Sequence, residues 1–357
     1  MNGLVSQGFK TVSQYGVRVF AMRVCNYTMF KLKRVLLKND ADEKENIAKF
    51  NTLHNKFKGK RIFVIGNGPS LNKLPLYLLK NEYTMCFNRF SLMEERLNWM
   101  PNFYAVTDDL VIKDMADSLN NEVIPKVDYA FFPDLHPSNV NVKKHIHNKH
   151  NVLWLHVDKP DFSDHLPNCG INKTVVNAGI QIAAWMGFSE IYLLGVDMTF
   201  ADQNVKKSNS RNWEAKGDDP NHFDPRYFGK GRKYHNPGVA EMMEKFEKCK
   251  EFFDSRGVKI YNAGYGGKLE VFPRVKFEVL PGKSEQEQNE LFLDAMHQIN
   301  QTIQLGDYKP YQPDDANENN FFIPTDEGVK LIKEKIYSHI PFGPYHGNYY
   351  FLRRGKK

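Results

Sequence analysis

The sequence predicts an α/β fold, a mostly parallel sheet with helices on both faces, extended at each end by a helical appendage. Three observations predict it. Between residues 61 and about 262, short apolar runs rich in β-formers alternate with helical patterns. The first run ends in a glycine-rich turn, Gly66-Asn67-Gly68-Pro69-Ser70. Residues 1–39 hold seven cations and no acid, while the remainder carries 42 basic and 42 acidic residues. The charge excess therefore belongs to one segment, which stands apart from the body.

Residues 1–58 read as a basic amphipathic helical segment. Met22, Cys25, Met29, Leu32 and Leu36 recur at spacings of three and four, one helical stripe. Arg23, Tyr27, Lys31, Arg34 and Lys38 repeat in the same way about 100° around the helix. Such a helix suits an anionic membrane surface, reached through residues 1–39. The alternative is that the apolar stripe docks on the main domain and the cations face water.

Residues 59–283 form the main domain. Strands are expected at 61–65, 84–87, 103–106, 129–132, 152–156, 190–194 and 258–261. Helices are expected near 72–80, 91–98, 110–119, 140–148, 177–186 and 239–255. Residues 284–357 read as a helical and irregular appendage. It holds a helix over 285–304, the polar linker "GDYKPYQPDDANENN", and a short helix near 325–337 before an aromatic, basic end.

Composition narrows the class. A charged fraction of 25% and an apolar fraction of 41% fit a soluble globular protein. Cys25, Cys86, Cys169 and Cys249 lie far apart with no CxxC pair, which fits a reduced, cytoplasmic compartment. No stretch approaches the roughly 18 apolar residues of a spanning helix, and the N-terminus lacks the apolar core of a signal peptide. The expected location is cytoplasmic, peripheral on the inner face of the cytoplasmic membrane. A formally neutral body argues against nucleic acid as a partner.

In a parallel sheet, ligands gather at the carboxyl ends of the strands. Gly66 and Gly68 allow close approach, Asn67 offers hydrogen bonds to a ribose or phosphate, and Ser70 is placed to cap the next helix. The dinucleotide fingerprint needs a third glycine where Leu71 stands, and no P-loop GK[ST] occurs. Other strand ends are polar too: Asn88-Arg89, Thr107-Asp108-Asp109 and Gly195-Val196-Asp197, with Asn177 opening a later helix.

"VIGNGPSL", "CFNRF" and "VNAGIQIAAWMGFSEIYLLGVDM" in this order resemble the small bacterial sialyltransferases that use CMP-sialic acid. They also resemble the wider group with flagellin-modifying motility-associated factors and the pterin pyrophosphokinase-like domain. The resemblance covers roughly residues 60–265. It implies a Rossmann-like catalytic domain that binds a nucleotide sugar. It places Asn67, Asn88, Arg89, Asp108 and Asn177 along that pocket, with the Gly66-Asn67-Gly68-Pro69-Ser70 turn and the Gly195 and Asp197 strand end beside them. It implies a histidine base ahead of a long helix, where His235 stands in "KYHNPG". The family's tyrosine pair against the leaving phosphate is not reproduced in "MTFADQNVKK".

His222 in "NHFDP" is the rival base, with Asp224 as its orienter. Residues 206–234, basic and glycine-rich, read as a lid over the site. No metal is expected. The sole DxD, Asp40-Ala41-Asp42, precedes the sheet and reads as a helix start, and the histidines of "HIHNKH" do not share a helical face. The sequence thus points to a metal-independent glycosyltransferase without a cofactor, its donor substrate a CMP-sugar and its acceptor a glycan or glycolipid. The rivals are a Mg²⁺-dependent pyrophosphokinase of the pterin type and a non-catalytic membrane-associated assembly protein.

Overall fold

A computed structural model describes residues 2–37, 41–97, 99–157, 161–201, 205–207, 212–224, 226–277 and 280–284. It also describes positions 286–288, 290, 291 and 294, and three strands towards the C-terminus. Seven parallel strands form the central sheet: β1 (Arg61–Ile65), β2 (Thr84–Phe87), β3 (Phe103–Ala105), β4 (Tyr129–Pro133), β5 (Val152–Leu155), β6 (Glu190–Leu194) and β10 (Lys259–Asn262). Their order is β10-β6-β1-β2-β3-β4-β5. All seven fall within one residue of the expected runs.

The apolar runs form strands because each supplies two cores at once. In β1, Phe63 and Ile65 join one buried cluster while Ile62 and Val64 join the other. One face is covered by α2 (Ala41–Leu53), α5 (Val175–Trp185) and α6 (Val239–Asp254), through residues such as Phe50, Ile180 and Phe246. The other face is covered by short turns of helix carrying Leu71, Leu78, Met93, Ile112 and Ile124.

Several expected helices are shorter or tighter. The pattern at 72–80 resolves into 3₁₀ turns at Pro69–Lys73 and Leu76–Leu79, parted by Pro75, which has no N–H to continue a helix. Residues 90–96 are likewise 3₁₀. The region 110–119 begins as α3 (Asp109–Asp114) and continues as α4 (Ala116–Ser118). Of 140–148 only Val142–Lys144 is helical. There the Asn120 side chain accepts from the N–H groups of His147 and Asn148, at 2.6 and 3.0 Å, and holds that backbone out of a helix.

α1 (Asn2–Leu37) is helical as expected, broken at Gly16, whose φ of 80° no helix contains. Its docking reverses the alternative in which the apolar stripe packs and the cations face water. Phe30 and Arg34 are buried, and Arg34 pairs with buried Asp134 after β4. Lys33 donates to the Asn139 carbonyl at 3.2 Å, and Asn139 donates to the Asn26 carbonyl at 3.1 Å. The stripe of Met22, Cys25, Met29, Leu32 and Leu36 is exposed. In α2, Asn46 bonds both backbone groups of Trp154, and Phe50 and Leu53 lie wholly inside the core. The boundary expected near residue 58 therefore runs through continuous packing, with Phe57 stacked on Phe188 at 4.9 Å.

The expected lid is more ordered than its composition suggests. β7 (Val205–Lys207), β8 (Asn212–Ala215) and β9 (Lys233–His235) make an antiparallel sheet, and Phe223 and Tyr227 are buried beside it. Towards the C-terminus, β11 (Ile323–Pro324), β12 (Tyr337–Ile340) and β13 (Tyr349–Arg354) pair as a second antiparallel sheet. The linker at 306–320 and residues 325–336 of the expected helix lie outside the described residues. Only parts of 285–304 are described, and these are helical.

Candidate functional site

The strand order reverses at β1, whose neighbours are β2 on one side and β6 on the other. Open α/β sheets hold ligands in the crevice at such a point. Here the two turns that would flank the crevice grip each other. Gly66 N–H donates to the Leu194 carbonyl at 2.7 Å, and Gly68 N–H donates to that of Gly195 at 2.8 Å. Ser70 gives its N–H to one Asp197 oxygen at 2.8 Å and its hydroxyl to the other.

This clamp changes the reason for the glycines. A Cβ on Gly66 would lie 2.5 Å from the Gly195 carbonyl oxygen, and one on Gly68 would lie 2.5 Å from an Asp197 carboxylate oxygen. Their missing side chains make room for the β6 turn, whereas the sequence assigns them to ligand approach. Ser70 does not cap the following helix, whose first residue is Pro69; it is spent on Asp197. Burial pushes the Asp197 carboxyl above its ordinary value although Ser70 opposes the shift.

A second group of polar residues lies on the β2 side, and it is largely buried. Asn67 donates to the Phe87 carbonyl at 3.2 Å, which sets it against the end of β2. Asn88 follows in the left-handed region at φ 52°, and Arg89 is buried. The start of α5 crosses the same strand end, since a Cβ on Gly179 would lie 2.4 Å from the Phe87 ring. Asn177 on that turn is fully buried and donates to the Asn172 carbonyl at 3.0 Å. The side-chain oxygens of Asn67, Asn88, Asn172 and Asn177 and the Arg89 Nε are buried without a hydrogen-bond partner. Each such group costs about 1–3 kcal/mol when left unmade; the four amide oxygens lack a donor, and the Arg89 Nε–H lacks an acceptor.

His235 at the end of β9 meets Asp108 at the end of β3, with Nδ1 2.8 Å from Oδ2. Asp108 also caps α3, accepting from the N–H groups of Leu110 and Val111. Burial alone would raise the Asp108 carboxyl, but the His235 bond and charge and these two N–H groups outweigh it and hold the carboxyl below its ordinary value. An ionised Asp108 accepts the Nδ1 proton and leaves the lone pair on Nε2, the tautomer a general base needs.

His222 lies under a different partner from the one expected. Its Nδ1 is 2.7 Å from Asp219, and its ring stacks on Tyr227 at 3.8 Å. Asp224 instead pairs with Arg226 through two contacts of 2.8 and 2.9 Å. The segment is tied to the first turn: Phe223 N–H donates to the Asn67 carbonyl at 3.0 Å, and Asn72 donates to the Phe223 carbonyl at 2.9 Å. Buried Tyr227 lies beside Asn88. His222 thus braces the segment that carries Phe223 and Tyr227.

Arg89 and Arg232 converge on Asp114. Burial would raise that carboxyl, and the two guanidiniums outweigh burial and hold it below its ordinary value. Two guanidiniums thus share one carboxylate. Sequence inspection passes over Asp114, Asp219 and Gln181. Asp219 is signalled by its place three residues before His222. Gln181 is signalled as a polar residue inside an apolar helix, and it fastens the loop before α5 by bonds to Ser163 and Gly170.

No curated protein matches this chain in sequence. Residues 36–203 match the MptE-like family, described as 6-hydroxymethylpterin diphosphokinase MptE-like. That family belongs to the group the sequence resembles. The MptE-like stretch spans β1 to β6 and all the site residues from Gly66 to Asp197, while His222, His235, α6 and β10 lie beyond it. The fold is similar to the MAf glycosyltransferase from Magnetospirillum magneticum AMB-1, at 13% identity and a TM-score of 0.40 over 72% of this chain. The chain spans 42% of that protein's length. It is also similar to the sialyltransferase CstII from Campylobacter jejuni in complex with cytidine-5'-monophosphate, at 12% identity and a TM-score of 0.37, covering 64% of this chain and 88% of that one. For CstII in complex with CMP-3FNeuAc the identity is 14%, the TM-score 0.37, and the coverage 66% and 99%.

Proposed function

We propose that this protein is a glycosyltransferase that moves an acidic sugar of the sialic-acid or Kdo type from a CMP-activated donor to a glycan or glycolipid hydroxyl. The observation that carries the proposal is the His235–Asp108 pair, held at the same sheet edge as the unpartnered amide oxygens of Asn67, Asn88 and Asn177. Amino and hydroxyl groups of a nucleotide are the donors those oxygens lack. The choice of cytidine follows the motif resemblance.

In this proposal His235 Nε2 takes the proton of the acceptor hydroxyl as its oxygen bonds to the anomeric carbon. The bond from that carbon to the phosphate oxygen breaks, and CMP leaves. Arg89 and Arg232 receive the departing phosphate in place of Asp114. A phosphate monoester leaving group with two guanidiniums needs no divalent cation.

A second function is favoured by the MptE-like match: transfer of diphosphate from ATP to a small alcohol, with Mg²⁺ on the phosphates. One experiment separates them. Thermal shift is measured with CMP, CDP, UDP, GDP and ATP, each with Mg²⁺ and with EDTA. The largest shift from CMP, unchanged by EDTA, supports the glycosyltransferase. A shift from ATP that requires Mg²⁺ transfers the assignment to the diphosphokinase. No shift from any nucleotide leaves a non-catalytic protein on this fold.

A further inference from the structure

The outward face of α1 has no role in the chemistry above. Its docked side is defined by Phe30 and Arg34, and at 100° per residue the opposite side holds Met22, Val24, Met29, Leu32, Val35 and Leu36. These six are 45–76% exposed and span an arc of about 160°. Lys31 and Lys33 flank the arc, about 20° outside its two margins. An apolar face of this width turned to solvent marks an interaction surface.

We propose that α1 lies in the plane of an anionic lipid surface, its apolar face among the acyl chains and its solvent-facing cations at the headgroups. Three observations select lipid over a second copy of the chain. Residues 1–39 carry seven cations and no acid, so pairing two such faces would bring like charges together, whereas an anionic leaflet complements them. Among the described residues no helix is long and apolar enough to cross a membrane, which leaves the in-plane position. The domain is fastened to the opposite side of the helix by the buried Arg34–Asp134 pair, so lipid contact leaves that junction intact. Asp134 follows β4, and α1 thus sits at the carboxyl edge of the sheet, the edge that carries Asp108 and Asn88.

The test uses the full-length protein, since residues 41–57 are part of the core. Co-sedimentation is measured with phosphatidylserine-containing and with pure phosphatidylcholine vesicles, at low and high salt, for wild type and the double variant Leu32→Asp/Leu36→Asp. Both positions are exposed, and equal melting temperatures confirm that the variant folds. The proposal expects wild type to bind the anionic vesicles, to lose binding as salt shortens the screening length, and to bind roughly 100-fold more tightly than the variant. Failure to bind anionic vesicles at low salt overturns it. So does equal binding by the variant or by neutral vesicles. Sedimentation velocity covers the competing occupant: a wild-type dimer that the variant abolishes, without vesicle binding, assigns the face to a second copy.

Discussion

Replacing Gly66 with alanine puts a methyl carbon 2.5 Å from the Gly195 carbonyl oxygen, 3.0 Å from its carbon and 3.0 Å from Val196 Cγ2. Two of these three atoms are backbone, so no rotamer relieves the contact. The β1 and β6 turns must separate, and the bonds most exposed to that movement are Gly66 N–H to Leu194 and Gly68 N–H to Gly195. Overpacking of this kind costs about 1–3 kcal/mol, and two backbone hydrogen bonds are worth about 0.5–1.5 kcal/mol each. The expected destabilisation is about 2–6 kcal/mol, a fall in melting temperature of roughly 4–24 °C for a domain of this size. Differential scanning fluorimetry of Gly66→Ala measures it against Gly217→Ala, where nothing lies within 4 Å of the added carbon. The clamp also predicts that stability falls in the absence of any nucleotide. A variant that melts with wild type yet loses its nucleotide-induced shift would refute the argument, because the glycine would then serve ligand approach.

His235→Ala should lower transfer from a CMP-sugar by a factor on the order of 10² to 10⁴ while donor affinity holds, and His222→Ala should act mainly by loosening the segment that carries Phe223 and Tyr227. A His235→Ala enzyme at wild-type rate, with His222→Ala inactive, would exchange the two roles. Asp108 predicts a pH dependence: its folded carboxyl lies below the unfolded value of about 3.9, so its contribution to stability is present above that pH and lost as pH falls through the folded value. The melting-temperature gap between wild type and Asp108→Asn should be constant above about pH 5 and close below about pH 4; a gap that widens on acidification would contradict the assignment.

Much of the fold was legible because strand formation here is a local matter. Runs such as Arg61–Ile65 and Glu190–Leu194 are apolar at successive positions, which is what a strand covered on both faces requires, and each could be delimited from its own residues. The cation excess of residues 1–39 is likewise a property of the sequence alone. Helical patterns carried less information. Pro75 and the Asn120 side chain divert the backbone at 72–80 and 140–148 by effects that apolar periodicity does not register.

The sequence by itself determined which residues become strands, where the glycine turn falls and which segment is basic. Tertiary structure alone decided what those parts meet. Strand order depends on crossovers, and it set the turn after β1 against the turn after β6, so that Gly66 and Gly68 serve a contact with residues some 130 positions away. His235 finds Asp108 across 127 residues, and Arg34 finds Asp134 across 100. The physical reason is range. Propensity and periodicity act over a few residues, whereas a hydrogen bond or an ion pair needs only proximity in space, which packing of the whole chain supplies.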